Sequence, residues 1–255
     1  MIAFALTGRT ALVTGASRGI GRAIALAFAD AGADVALSGR DLDALAEVQA
    51  AVEERGRKAL LVPADVTDPD SVQAMVDTAI AGLGRLDVVV NNAGGNRFQA
   101  PFSDIRADGW DKVMRLNLDS VVRVCRAVAP HLLERRTGSV INVASVAGVT
   151  ASPLMAHYGT AKAAVIALSR TLAVEWAHAG VRCNALVPGW VATDLTEFAR
   201  KEPAIEEGLI SRVPMQRWAT AAEIAGPAVF LASDAAGFVT GQVLAVDGGL
   251  TAWSG

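Results

Sequence analysis

Cysteine is almost absent from this chain: Cys125 and Cys183 are the only two in 255 residues. A pair so widely spaced makes neither a disulfide framework nor a zinc site, and both are expected to be small buried hydrophobes. No apolar stretch reaches the ~18 residues of a membrane helix. The apolar start, Met1 to Leu6, is too short for a signal-peptide core and has no basic residues before it, so a cytoplasmic protein with no membrane partner is expected. Lys and Arg form no run, and the net charge is −3, which gives nucleic acid no electrostatic footprint. That acidic excess is also too small to suggest disorder.

Small apolar residues fill the space that the scarce aromatics leave. With 52% of residues hydrophobic, a large core is expected, of helices packed closely on a sheet. Short β-branched runs alternate with longer helical patterns. Strands are expected at 10–14, 34–38, 59–63, 86–91, 139–144, 181–187 and 243–246. Helices are expected at 20–31, 42–55, from the Asp68 cap and Pro69 onward, 108–135, 156–179 and 220–231. Pro130 should kink or split the first long helix. Residues 189–215 show no clean period. Strand–helix alternation with continuous apolar strands predicts an α/β fold: one Rossmann-type, doubly wound parallel sheet with helices on both faces. Without repeats or linkers, residues 1–255 read as a single domain.

The first expected strand runs straight into Thr14-Gly15-Ala16-Ser17-Arg18-Gly19-Ile20-Gly21, which opens a helix. Gly15 permits a tight turn, Gly19 lets backbone approach a pyrophosphate, and Gly21 lets the helix pack on the sheet. The helix's free N–H groups then face the anion. Gly15, Ser17, Arg18, Gly19, Ile20 and Gly21 are therefore candidate cofactor contacts. The end of the second strand selects the cofactor: a carboxylate there holds ribose hydroxyls, a cation accepts a 2′-phosphate. Here the sequence is Ser38-Gly39-Arg40, and Arg18 can converge on the same point. Two guanidiniums and a hydroxyl favour NADP(H) over NAD(H). Asp41 follows directly, and either opposes that preference or caps the next helix.

Tyr158, the only tyrosine, stands four residues before Lys162 in a helical pattern. That spacing sets both on one face, with Cβ atoms ~6 Å apart. A phenol of pKa ~10 is a poor proton donor or acceptor at neutral pH, and a neighbouring ammonium favours the phenolate and lowers that value. The pair thus suits general acid/base work. Ser145 ends the preceding strand, where its hydroxyl can polarise a substrate oxygen. Asn117 lies in the long helix before that strand.

These residues resemble the short-chain dehydrogenase/reductase family over nearly the whole chain. The glycine turn looks like its cofactor motif, and Asn91-Asn92-Ala93-Gly94 like its motif after the fourth strand. Asn117, Ser145, Tyr158 and Lys162 match its catalytic tetrad. Pro188-Gly189 with Thr193, and Val246-Asp247-Gly248-Gly249, are similar to its later signatures. The resemblance implies an oxidoreductase that interconverts a ketone and a secondary alcohol by hydride transfer. Tyr158 would exchange a proton with the substrate oxygen. Lys162 would tune it and bind the nicotinamide ribose, Ser145 would hold the carbonyl, and Asn117 would position a water. Asp65 and Val66 would contact adenine; Asn92, Ala93 and Gly94 would line the ribose and the middle of the cofactor. Val191 and Thr193 would bind the carboxamide or phosphates. Asp65 equally suits a turn cap, and Asn91 suits tying strands together better than touching ligand.

Enoyl reductases of this family usually place six residues between Tyr and Lys, and the extended branch spaces its glycines differently; neither pattern is present. The chain most resembles oxoacyl-thioester reductases and gluconate or sugar-acid dehydrogenases. Two other readings stand beside the reductase: a catalytically silent dinucleotide-sensing regulator, and an NAD-dependent sugar-acid or alcohol dehydrogenase. Substrate loops are expected at 95–102, 146–155 and the lid 189–215. Leu154, Met155, His157, Trp190 and Phe198 are candidates to line an apolar pocket, and Arg97 to meet an anion. Trp110, Trp176 and Trp218 read as packing residues. The family resemblance implies a homotetramer formed through the long helices and the C-terminal segment, with Trp253 as an anchor.

Arg40→Asp is expected to weaken NADPH binding by about tenfold or more while leaving NADH nearly unchanged, since a charge-assisted contact to the 2′-phosphate is lost. Fluorescence titration with both nucleotides measures this. An unaltered ratio of the two dissociation constants removes the basis for the NADP(H) preference.

Overall fold

The computed structural model describes residues 4–96 and 98–253. Among them, strands β1 (Thr10–Thr14), β2 (Asp34–Ser38), β3 (Ala59–Leu61), β4 (Val88–Asn91), β5 (Gly138–Val143), β6 (Val181–Pro188) and β7 (Val243–Val246) form one sheet. Its order is β3-β2-β1-β4-β5-β6-β7, and every pairing is parallel. The chain winds one way from β1 to β3, then the other way from β4, so the strand order reverses between β1 and β4. Such a switch point opens a crevice at the carboxyl ends of the strands.

Both faces of the sheet are covered. The helices are α1 (Gly19–Asp30), α2 (Leu42–Glu53), α3 (Pro69–Leu83), α4 (Ala107–Met114), α5 (Ser120–Arg135), α6 (Ala156–Trp176), α7 (Glu197–Arg200), α8 (Pro203–Ile210) and α9 (Ala221–Ala232). Successive strand residues point to opposite faces. Leu12, Ala36, Val89 and Val140 therefore pack against α3, α5 and α6, whereas Val13, Leu37, Val90 and Ile141 pack against α1, α2 and α9. Two buried layers explain why the strands carry apolar residues on both faces. Local signals set the helix ends. Asp68 caps α3 with Pro69 in its first turn, and Gly84 closes it at φ 80°. Thr220 and Glu223 form a reciprocal capping box on α9. No described helix is long and apolar enough to cross a membrane.

Two expectations are corrected. The long helix is not split at Pro130, for α5 runs through it. Pro130 and Arg126, whose carbonyl loses its partner, are both exposed, so that carbonyl can face water. The irregularity lies earlier, in a π-helical turn at Arg115–Asp119 that joins α4 to α5. The aperiodic 189–215 stretch is also partly helical, for it contains α7 and α8.

The amino ends of the strands are locked by one buried carboxylate. Asp87 is 2% exposed. It accepts from Thr10 N at 2.9 Å, Arg85 Nε at 3.0 Å and Arg135 Nη2 at 3.0 Å. Burial alone would raise its pKa, but the Thr10 amide and the two guanidiniums outweigh that and hold it below the usual carboxylate value. A depressed carboxylate contributes stability above the unfolded pKa of ~4 and loses it as pH falls through the folded value. Asp87→Asn should therefore cost about 2–4 kcal/mol at pH 7. The gap to wild type in urea unfolding should narrow below pH ~4. A gap independent of pH would contradict this.

Candidate active site

The carboxyl ends of β1, β4, β5 and β6 meet at the switch point, and the residues following them build the site. The Thr14 hydroxyl, at the end of β1, bonds the Val90 carbonyl at 3.2 Å and accepts from the amides of Asn92 and Ala93 at 3.0 and 3.1 Å. Asn92 returns its side-chain amide to the carbonyls of Thr14 and Gly15 at 3.0 and 3.2 Å. The glycine loop is thus sewn to β4. Gly15 has φ 66° and Gly19 φ 54°, both left-handed. A Cβ on Gly21 would lie 2.1 Å from the Gly15 carbonyl oxygen. The N-cap Arg18 makes no side-chain cap, and the first turn of α1 holds no acid, so its N–H groups stay available to an anion. Together these features fit the diphosphate of a dinucleotide.

At the adenosine end the expected contacts separate. Arg40 is exposed, and Arg18 is exposed with Nη1 3.6 Å from Asp194. Ser38 is fully buried with an unpartnered hydroxyl, so it offers no surface to a 2′-phosphate here. Asp41 is committed to capping α2, accepting from Ala44 N at 3.2 Å. Asp65 caps a turn, accepting from Thr67 N at 2.9 Å and Thr67 Oγ1 at 2.8 Å. Those two bonds, with a smaller contribution from Arg40, hold its pKa down. Val66 is buried beside it, and so is Val191, leaving Val191 chiefly its backbone to offer. Thr193 stands over Gly19, 3.5 Å from where a Cβ would be.

Ser145, Tyr158, Lys162 and Asn117 gather beside this cradle. Ser145 follows β5 and accepts from Ala147 N at 3.2 Å. The turn after it packs directly on the first turns of α6. A Cβ on Gly148 would lie 2.6 Å from Ala163 N, and one on Gly159 would lie 2.8 Å from the Ala147 carbonyl oxygen. These two glycines bring Ser145 to Tyr158, and sequence reasoning missed them. The available signal was Gly159 itself, a glycine inside a helix where alanine would be favoured by ~1 kcal/mol.

Lys162 is 3% exposed and donates to the Val143 carbonyl at 2.8 Å. It has no ion-pair partner among the described residues, and burial pushes its ammonium down to about 8. Its Nζ lies 5.7 Å from the centre of the Tyr158 ring. The expected acidification of the phenol is not what this arrangement gives. Burial raises the Tyr158 pKa, and the opposing influence is the Ser145 hydroxyl.

Asn117 is fully buried in the π-helical turn. Its Oδ1 accepts from Gly95 N at 2.8 Å, and its Nδ2 donates to Gly95 O at 2.9 Å and Val113 O at 3.0 Å. Both amide hydrogens are used, leaving the side chain no donor for a water. Gly94 separates this amide from Lys162: a Cβ there would lie 2.8 Å from Asn117 Oδ1 and 3.4 Å from Lys162 Nζ. Asn91 ties strands together, donating to Asn142 Oδ1 at 2.8 Å, and Asn142 donates to Ser169 Oγ at 2.9 Å.

Among the pocket candidates, His157 is fully buried and its ring lies 4.3 Å from that of Phe98, turned away from Tyr158 as adjacent helical residues are. Leu154 O accepts from Ala100 N at 3.0 Å, which ties two expected substrate loops together. Leu195 reaches within 3.5 Å of a Cβ position on Gly95, across the cleft. Leu154 and Phe198 are half-exposed and Met155 is partly covered. Trp190 meets Trp218 edge-on at 5.9 Å, Trp218 donates to Glu206 on α8 at 2.7 Å, and Trp110 packs on Phe102. Trp176 is buried. Arg97 lies outside the described residues. Cys125 and Cys183 are buried, and burial raises both thiols, Cys125 to about 12.

Known proteins resemble this chain over almost its whole length. A family model described as enoyl-(acyl carrier protein) reductase matches residues 15–251. A gluconate 5-dehydrogenase of Gluconobacter oxydans is 41% identical over 248 residues, 97% of this chain and 96% of that protein. A 3-oxoacyl-[acyl-carrier-protein] reductase of Synechocystis is 40% identical, covering 96% of this chain and 98% of its own. The crystal structure of a gluconate 5-dehydrogenase from Burkholderia cenocepacia, in complex with NADP and tartrate, superposes with a TM-score of 0.94 at 39% identity, over 98% of each chain. With matches of this extent, the chain belongs to the short-chain dehydrogenase/reductase family.

Proposed function

We propose that this protein is an NADP(H)-dependent oxidoreductase interconverting a ketone and a secondary alcohol, with Tyr158 as general acid/base. The observation that carries this reading is the seating of Ser145, Tyr158 and Lys162 around the carboxyl end of β5, beside an uncapped helix N-terminus. Gly15, Gly19 and Gly21 with the α1 amides would hold the diphosphate, and Arg18 and Arg40 the 2′-phosphate. Ala93, Gly94, Val66 and Thr193 would line the rest. The bound nicotinamide supplies or accepts the hydride.

In the reductive direction the Ser145 hydroxyl donates to the substrate carbonyl oxygen and withdraws charge from its carbon. Tyr158 then gives its proton to that oxygen. A phenol held above its ordinary pKa is fully protonated at neutral pH, ready as the acid. The Lys162 ammonium, fixed on the Val143 carbonyl 5.7 Å from the ring centre, would offset part of the burial cost of the phenolate left behind without bringing its pKa below the ordinary value. Asn117 is a positioning residue that holds Gly95 and, through it, the loop over the nicotinamide. Residues 189–215 act as the lid. The Tyr158-x-x-x-Lys162 spacing favours carbonyl over enoyl reduction. The related gluconate 5-dehydrogenase and 3-oxoacyl-[acyl-carrier-protein] reductase support a substrate with a ketone or secondary alcohol, and we place the protein in the cytoplasm. We read the assembly as a homotetramer, consistent with exposed Val174 on α6 and exposed Trp253 in the C-terminal segment.

Tyr158→Phe should lower kcat/KM for NADPH-dependent ketone reduction by about 10²–10⁴ and leave the NADPH dissociation constant within about twofold. Absorbance at the reduced-nicotinamide band against a ketone panel measures the first, and fluorescence titration the second. Undiminished turnover in the variant would refute the assigned role. No NADPH consumption by wild type with any ketone would favour the sensing reading.

A further inference from the structure

The edge of the sheet opposite the active site, where strands begin, holds a second cleft. It has a volume of about 180 Å³ and is lined by Arg9, Asp87, Thr137, Ser139, Arg182 and Asp234. Its lining holds two arginines and two carboxylates, and both carboxylates already have partners. Asp234 is taken by Arg9, Nη2 to Oδ1 at 2.7 Å. Asp87 is taken by Arg85 and Arg135. Arg182 has no ion-pair partner among the described residues. Its bonds are long ones to backbone carbonyls, Val239 at 3.4 Å and Ser233 at 3.3 Å. Counting Arg85 and Arg135, which do not line the cleft, four guanidiniums share its two carboxylates.

A partly buried guanidinium without a counter-charge is unfavourable. Burial, and the like charge of Arg9 beyond it, lower the pKa of Arg182, with Asp234 only partly opposing them. The guanidinium fork matches two oxygens of a phosphate or carboxylate, and such charge-assisted pairs are short and strong. The Ser139 hydroxyl is spent on the Leu231 carbonyl at 2.9 Å, which leaves Thr137 as the hydroxyl of the cleft for a ligand.

We propose that this cleft binds a small oxyanion, phosphate or carboxylate, with Arg182 as its anchoring charge and Arg9 and Thr137 as further donors. The six residues of β5 separate it from Ser145, roughly 20 Å at ~3.3 Å per residue. It is therefore a site apart from the dinucleotide cradle. The anion would clamp the starts of β1, β5 and β6 to the segment after α9 that leads into β7.

The test is thermal unfolding of the NADPH-saturated full chain, titrated with inorganic phosphate or acetate against chloride at matched ionic strength. Bound NADPH keeps phosphate out of the catalytic cleft. A saturable rise of about 2–4 °C is expected with at least one oxyanion, and the responding one names the ligand class. Arg182→Met should abolish the rise while kcat/KM stays within about twofold. If that variant does not fold, Arg9→Gln replaces it and should weaken the response. No rise beyond that of chloride, or an equal rise in wild type and the arginine variant, would overturn the site.

Discussion

Lys162 is a buried ammonium whose direct protein partner is a backbone carbonyl, that of Val143, and the active end of the fold is arranged around that requirement. A charge in a low-dielectric setting must be hydrogen-bonded or neutralised. The last residue of β5 supplies the bond, so the strand that presents Ser145 also fixes the ammonium. α6 must then lie close against the turn after β5, which Gly148 and Gly159 permit. On the other side Gly94 is the residue that fits between the ammonium and the Asn117 amide. The glycines near the site therefore divide between two tasks, turning the chain at the cofactor loop and letting backbones touch around the lysine.

The π-helical turn belongs to the same arrangement. The Asn117 side chain donates to the Val113 carbonyl, one turn back along the helix. The extra residue in the turn lets the same side chain reach both backbone groups of Gly95. Helical irregularities of this kind are frequent at functional positions. Asn117 accordingly serves as a brace for the loop after β4 and exposes nothing to solvent.

The two ends of the parallel sheet are built by contrasting electrostatics. At the carboxyl ends the polar groups that face the cleft are left partly unsatisfied, as the uncapped α1 and the lone ammonium show. At the amino ends a buried carboxylate is saturated by an amide and two guanidiniums. The first arrangement suits binding and chemistry. The second holds β1, β4 and the end of α5 together. Arg182 departs from this pattern, a charge with no ion-pair partner among the described residues on the end otherwise given over to structure.

The doubly wound class, every strand to within a few residues, the glycine cradle and the Tyr158–Lys162 face were legible in the order of the residues. Those features rest on local periodicity, caps and turn chemistry, which neighbours along the chain impose. The sequence also left Asp41 and Asp65 open between ligand and cap; in the folded chain both accept cap hydrogen bonds from residues two or three places on. Only the folded chain could show that Ser38 is buried, that Asn92 braces the loop beside it, and that Tyr158 is raised where its neighbour suggested lowering. Burial and partnership depend on which distant segments arrive beside a residue. A desolvation penalty set by the whole surrounding shell leaves no trace in the spacing of two side chains on a helix.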